Sequence, residues 1–355
     1  MNIHDLREIE EIKNSNKPVL IYGNANHARI VLNSLIKNDI RPQAFVVDDY
    51  AFSDGQVIDG FPVLPISRFY KDISDYSIVI GFCNIDRTKA ILSLNNLLKT
   101  DFHLLWEPDN ELIWTNEYID NVLLSESVIG QFADERSQKI LKGLISARRD
   151  GDINSIIELA EPVQYFTELT YEKYSANEIF VDCGAFNGDT IVQYRDFTGN
   201  NYKRIYAFEP MEDNLSLLYG RTKDVDRLTV INRGTWNKED VLTFSNNTSA
   251  SQIDECGTVK VPVDSIDHVV GEDEVTFIKM DIEGSEYEAL LGAKNTIEKN
   301  MPKLAICVYH KYDDIPKLLN FIKSMENGNK KYNYYLRHYS NSAYETVMYA
   351  IPDKK

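Results

Sequence analysis

Glu178-Ile-Phe-Val-Asp-Cys-Gly-Ala-Phe-Asn-Gly-Asp-Thr190 is the stretch from which the fold is read. Its first half is an apolar run suited to a buried parallel strand, and its second half puts Gly184 and Gly188 where a backbone can approach a ligand closely. Asp189 and Thr190 begin a segment with helical spacing, so strand, glycine loop and helix follow one another. A helix N-terminus there faces a carboxylate or phosphate group.

One crossover helix later, Arg204-Ile-Tyr-Ala-Phe-Glu209-Pro210 reads as a second strand ending in an acid. A right-handed crossover lays it beside the first strand, so Glu209 comes next to the glycine loop and can accept both hydroxyls of a ribose. An acid at a strand end is common by itself; coupled to the loop it is a more specific sign. The loop also differs from a dinucleotide fingerprint, because its glycines are four apart and Asp182 precedes the first. A carboxylate there repels pyrophosphate and suits a cationic end, such as the ammonium and sulfonium of S-adenosylmethionine.

Leu228-Thr-Val-Ile-Asn-Arg-Gly-Thr235-Trp236 reads as a third strand and its turn, and Val275-Thr-Phe-Ile-Lys279-Met-Asp281-Ile-Glu283-Gly-Ser-Glu286 as a fourth. Charge crowded at the carboxyl end of an apolar strand costs free energy unless it is paired or used, and that edge is where ligands bind in such sheets. With Asp182-Cys-Gly, Ala207-Phe-Glu-Pro and Ile278-Lys-Met-Asp-Ile-Glu-Gly-Ser-Glu286 in this order, the chain resembles the FkbM-type methyltransferases of class I over roughly residues 160 to 352. The resemblance implies an α/β, Rossmann-like, seven-stranded sheet with a reversed last hairpin. It implies S-adenosylmethionine as cofactor and methyl transfer to a hydroxyl, often of a sugar or a related polar metabolite. It further implies that Asp182, Gly184, Gly188, Asp189 and Thr190 hold the methionine part, that Glu209 binds the ribose, that Thr235 and Trp236 border the adenine, and that Asp281 lies beside the transferring methyl group.

The substrate side is read from the last third. Leu304-Ala-Ile-Cys-Val-Tyr309-His310-Lys311 is a fifth strand, and 332–339 with 345–351 a closing hairpin whose first strand ends in Arg337 and His338. In an in-line displacement, alignment is worth roughly 7–11 kcal/mol, whereas a positioned base adds about 100- to 10,000-fold in rate. His310 is the first choice of base, since imidazole titrates near neutrality and its strand neighbours that of Asp281; with Lys279 these form the catalytic set. Glu283, Tyr309, Arg337 and His338 are expected to bind polar or anionic groups of the substrate. Plainer readings stand beside these: a strand-capping histidine for His310, and helix-dipole acids for Glu283, Glu286 and Glu288. A divalent metal on Asp281, Glu283 and His310 is not demanded by spacing, and none is assigned. Between the third and fourth strands, 241–244 and 259–263 pair around a polar loop in which Ser251 is either a cofactor contact or simply solvated.

Ahead of this unit, Val19-Leu-Ile-Tyr22, the turn Gly23-Asn-Ala-Asn-His-Ala28, a helix to residue 37 and Ala44-Phe-Val-Val47 form a Rossmann-like opening, continued by an edge strand at 61–65 and a parallel one at 77–80. Gly23 in a phosphate turn and Asp48 on a ribose are the nucleotide-binding reading. Ala25 at the second glycine position crowds a pyrophosphate, and a scaffold is the other reading; His27 is either a ligand contact or incidental. The expected division is a Rossmann-like domain over 1–103, a helical connector over 104–170 and the methyltransferase domain over 171–355. Gln164, Tyr165 and Phe166 in the connector either cover a cofactor or pack between domains.

A chain of 355 residues with a net charge of -17 is not built for electrostatic binding of nucleic acid. Its four cysteines form no close pair, so neither a disulfide framework nor a zinc site is expected. With no long apolar run and no signal pattern, the expected location is the cytoplasm, the expected partner a small-molecule or glycan acceptor, and self-association is left open. Two rival functions are an NAD(P)-dependent sugar-nucleotide enzyme using the Gly23 turn and a non-catalytic cofactor-binding module.

Overall fold

The structure is a computed structural model that describes residues 2–93, 100–107, 114–170, 176–244, 259–328 and 330–353. By its internal contacts the chain divides into two units that alternate along the sequence. One comprises Met1–Asn121, Lys139–Pro162 and His338–Glu345; the other comprises Val122–Gln138, Val163–Arg337 and Thr346–Lys355. The stretch 104–170, read as one connector, is thus shared between them, as is its amphipathic helix Glu135–Asp150.

In the first unit β1 (Val19–Tyr22), β2 (Ala44–Val47), β3 (Val57–Ile58), β4 (Phe61–Pro65), β5 (Ser77–Ile80) and β6 (Asp101–His103) form one sheet in the order β3-β4-β2-β1-β5-β6. Both central strands are apolar at every buried position, as expected where helices cover a parallel sheet on each face. β4 is not the edge: the two-residue β3 pairs outside it in antiparallel fashion. Helix α1 (Ile3–Ser15) is capped by Asn2 and buries Asp5, whose carboxylate accepts the amides of Trp106 at 2.6 Å and Glu107 at 2.9 Å. Asn341, from the distant 338–345 segment, donates to Phe82 O at 2.9 Å and to Thr88 Oγ1 at 2.8 Å, and Trp106 O accepts from the amide of Ala343.

The second unit holds a seven-stranded sheet: β7 (Ile179–Cys183), β8 (Arg204–Phe208), β9 (Leu228–Ile231), β13 (Phe277–Met280), β14 (Lys303–Cys307), β15 (Tyr332–His338) and β16 (Thr346–Pro352), ordered β15-β16-β14-β13-β7-β8-β9. β7, β8, β9, β13 and β14 are parallel where they pair, and β16 runs antiparallel to β14, which is the reversed hairpin the sequence implies. A smaller sheet of β10 (Gly234–Thr235), β11 (Asp240–Phe244) and β12 (Val259–Asp264) follows the third strand, ordered β10-β12-β11. The sheet switches direction of growth between β7 and β13, so their carboxyl ends frame the crevice where ligands bind in this architecture. Beneath it lies an aromatic core: Phe180 stacks on Tyr194 at 4.4 Å, and Phe166 packs against Phe180, Tyr194, Phe197 and Phe277. Phe166 is therefore core within the second unit, rather than packing between domains.

Candidate active site

The loop after β7 is shaped by close backbone approach. Gly184 has φ +79, and a Cβ there would lie 2.0 Å from Asp281 O; Gly188 has φ +81 and leads into the helix Asp189–Phe197. The amides of Gly184 and Ala185 both donate to Phe208 O at the end of β8, at 3.1 and 2.9 Å. Glu209, one residue on, accepts from the amide of Phe186 at 2.9 Å through Oε2, and from Met211 N at 2.9 Å and Asn214 Nδ2 at 3.1 Å through Oε1. The carboxylate is only 4 % exposed, and burial pushes it above the usual range although those three donors pull it back. Each carboxylate oxygen has two acceptor positions, so Glu209 keeps capacity for further hydroxyl donors.

Lys279 and Asp182 are register partners on β13 and β7. Asp182 is fully buried and Lys279 nearly so; Lys279 Nζ lies 3.1 Å from Asp182 Oδ1 and donates to Gly184 O at 2.9 Å. Burial pushes Asp182 up to about 6 despite Lys279. Burial opposes the charge on Lys279, but Asp182, Asp281 and Cys307 outweigh it and hold the ammonium above its ordinary range. Lys279 is accordingly not a group of the reacting edge. It ties the glycine loop to β13, and the expectation of a catalytic lysine is corrected to a positioning one. Oδ2 of Asp182 has no hydrogen-bond partner among the described residues. Thr190 is buried and Asp189 half-exposed at the start of the helix, with Asp189 Oδ1 accepting from Thr190 N at 2.8 Å. Thr235 is buried on β10 and Trp236 half-buried after it.

At the end of β13 the chain turns through Glu283 (φ +55) and Gly284 (φ +89) into a short helix, Glu286–Leu291. This brings three acids around His310. Its Nδ1 lies 2.9 Å from Glu286 Oε1, and its Nε2 lies 3.5 Å from Asp281 Oδ1 and 3.7 Å from Glu283 Oε2. Burial alone would discharge the ring, but Glu286, Asp281 and Glu283 outweigh it and push His310 up to about 10. A ring held charged by these acids has no lone pair for a proton, which counts against the expectation of His310 as base. Asp281 accepts from Tyr309 Oη at 3.0 Å and from Tyr165 Oη at 3.5 Å. Against its burial, Lys279, His310 and Tyr309 hold it below the usual carboxylate range.

Tyr165, one of the ambiguous connector residues, thus reaches this edge, while Gln164 beside it is half-buried. Two further residues of the edge were not singled out from sequence for what they do there. Glu286, read as a dipole acid, is fully buried and also accepts from Ile282 N at 3.0 Å; Asp314, 3 % exposed, accepts from Lys311 N at 2.7 Å and is pushed up to about 7 by burial and by Glu286. Glu286, His310 and Asp314 each bring a donor atom within 4.8 Å of the others, an arrangement that charge pairing of Glu286 with the imidazolium accounts for.

Arg337 and His338 do not serve as expected. Arg337 donates to Asp134 Oδ2 at 2.6 Å and to Ser137 Oγ at 3.0 Å, so its charge is spent on a structural acid. His338 is fully buried and belongs to the first unit, where burial and Arg148 push it down to about 3. Ser251 lies outside the described residues.

The Gly23 turn of the first unit is differently built. A Cβ on Gly23 would lie 2.5 Å from Gly81 O, and Asp48 is occupied on both oxygens, by Tyr22 Oη at 2.6 Å and Arg87 Nη2 at 2.7 Å. The acid expected on a ribose is part of a Tyr22–Asp48–Arg87 cluster, with Arg87 also lying over the Tyr22 and Phe82 rings. His27 is buried on the helix Asn26–Lys37, and burial pushes it down to about 4.

The glycine loop, the acid after β8 and the charged turn after β13 all fall inside residues 182–334, the stretch that matches the family model of the methyltransferase FkbM domain. Over residues 182–334 the chain is similar to the methyltransferase FkbM domain. Among solved structures, the fold is similar to methyltransferase FkbM from Methylobacillus flagellatus KT, with a TM-score of 0.66 and 24% identity over 98% of this chain and 93% of that one. An rRNA methylase from Streptococcus thermophilus (TM-score 0.32, 17% identity, 51% of this chain and 90% of that one) also matches. So does the Aeropyrum pernix fibrillarin with natively bound S-adenosyl-L-methionine (TM-score 0.34, 12% identity, 51% and 69%). Scores that low add nothing to the FkbM assignment. No curated protein matches the chain. Among the described residues no helix is long and apolar enough to cross a membrane.

Proposed function

We propose that the FkbM domain of this chain transfers a methyl group from S-adenosylmethionine to a hydroxyl of a carbohydrate or a related polar metabolite. The observation that carries the reading is Glu209. It is a buried carboxylate fixed by the amide of the glycine loop it adjoins and retains acceptor capacity, which is what two ribose hydroxyls require. The Oδ2 of Asp182, unpartnered and fully buried, supports the same cofactor, since a carboxylate oxygen there repels a pyrophosphate and suits a cationic ligand. Glu209 would hold the ribose, the 184–190 loop the methionine end, and Thr235 and Trp236 the adenine. When bound, the cofactor supplies a methyl group on a positively charged sulfur.

Transfer to oxygen is supported by the edge beyond Asp281, which presents Tyr309 and Glu283 as hydrogen-bonding groups for hydroxyls. With Arg337 paired to Asp134 and acids dominating this edge, a neutral polyhydroxy acceptor fits better than an anionic one. Calorimetry with S-adenosylhomocysteine tests the cofactor: tight binding that Glu209→Gln and Glu209→Ala weaken by about tenfold or more is expected, as for loss of charge-assisted bonds worth about 1.5–3 kcal/mol. No binding, or binding indifferent to both changes, refutes it. Mass spectrometry of a panel of sugars and glycosides incubated with labelled S-adenosylmethionine tests the acceptor; label found only on nitrogen or carbon would overturn transfer to a hydroxyl.

A further inference from the structure

Glu283 stands apart from the other acids of the reaction edge. Its backbone is in the left-handed region at φ +55, followed by Gly284 at +89, and non-glycine residues held there concentrate at functional sites. Its carboxylate accepts no hydrogen bond among the described residues, and its side chain is 43 % exposed, against 26 % for Asp281, 7 % for His310 and 0 % for Glu286. Asp281 has two phenol donors; Glu286 accepts from the Ile282 amide and pairs in charge with His310, 2.9 Å away.

His310 meets carboxylates on both ring nitrogens, Glu286 on Nδ1 and Asp281 with Glu283 on Nε2. Neither nitrogen has a well-formed hydrogen bond among the described residues, but the charge of the three acids favours the protonated ring, which has no basic site left. The charged groups that act on Glu283 are His310, Asp281, Glu286 and Lys279, while the Lys311 side chain packs at Gly284. Burial raises Glu283, His310 pulls it back, and the two neighbouring acids raise it further; the net direction is upward. A carboxylate held above its ordinary range is a better general base than one held below it, as Asp281 is.

We propose that Glu283 is the base that takes the proton of the acceptor hydroxyl, and that His310, fixed through Glu286, is a positioning residue that keeps the Glu283 carboxylate turned to the edge. The acceptor oxygen gives its proton to Glu283 and its electron pair to the new C–O bond, while the pair of the breaking C–S bond stays on sulfur. This rests on the O-methyl reading above.

The test uses the full chain, S-adenosylhomocysteine binding, the hydroxyl acceptor found in the sugar panel and the ring-nitrogen NMR signals of His310. Glu283→Gln is expected to lose about 100-fold or more in turnover with cofactor affinity kept. Glu283→Gly, which relieves the left-handed backbone and leaves room beside His310, is expected to regain at least about tenfold of its lost turnover in formate, as a replaced carboxylate base should. The His310 ring is expected to be doubly protonated in the wild type near pH 7.5 and to titrate lower in Glu283→Gln. Turnover in Glu283→Gln close to wild type overturns the proposal, as does a folded, cofactor-binding Glu283→Gly that formate does not restore. A neutral His310 ring near pH 7.5 also overturns it, and since that readout needs no acceptor, it separates failure here from failure of the O-methyl reading.

Discussion

Lys279 Nζ sits 3.1 Å from Asp182 Oδ1 with both side chains out of solvent, so the two central strands of the FkbM domain are joined by a buried ion pair directly below the glycine loop. Removing one charge leaves the other buried without a partner, which typically costs about 3–5 kcal/mol. Lys279→Met is therefore expected to lower stability by that amount in urea denaturation, and Asp182→Asn with Lys279→Met to recover part of it. A Lys279→Met protein as stable as the wild type would remove the pair from the account of the fold.

Gly184→Ala places a methyl group 2.0 Å from Asp281 O at a left-handed φ. Neither backbone can give way without shifting the loop or the reaction edge, so a loss of about 3 kcal/mol or more is expected, from left-handed strain plus the clash. Loss of S-adenosylhomocysteine binding in calorimetry should accompany it.

The charge on His310 makes stability depend on pH with a definite sign. Its folded-state value, about 10, lies above the ordinary 6.5, so the stabilisation is complete below the unfolded value and is lost as pH rises through about 10. Denaturation midpoints measured from about pH 7 to about pH 10 should fall in the wild type and fall less in His310→Gln. A wild type and a variant with the same slope would show that the ring is not held charged by its acids.

The elements carrying the site were legible because each is an apolar run closed by an acid: β7 by Asp182 and Cys183, β8 by Glu209, β13 by Asp281. What the acids do was less so. That Lys279 faces Asp182 follows from the register of two strands far apart in sequence, which no local pattern encodes. The charge of His310 depends on Glu286 being turned back by two left-handed residues, of which only Gly284 announces itself in the sequence. Arg337 looked free because its acid, Asp134, comes from a segment long before it. A closer signal for Asp314 was present in Lys311-Tyr-Asp-Asp314, where an acid three residues on can cap a turn.

Asn341 is the side chain through which the 338–345 segment meets Phe82 O and Thr88 Oγ1. Asn341→Ala leaves the buried Thr88 hydroxyl and the part-buried Phe82 carbonyl short of a donor, and about 1–3 kcal/mol of destabilisation is expected. Thermal unfolding followed by hydrogen exchange should place the loss in the first unit, with exchange in β7 and β13 little changed.

Because the first unit includes residues 338–345, its contacts draw on stretches far apart along the chain. As the ribosome works, the strands around Val19–Tyr22 emerge early, yet the donors for Phe82 O and Trp106 O are translated only after the whole stretch that matches the FkbM domain. The nascent chain must therefore carry an incomplete early unit while the later one is made, and a message truncated before codon 338 would leave that unit without its last piece.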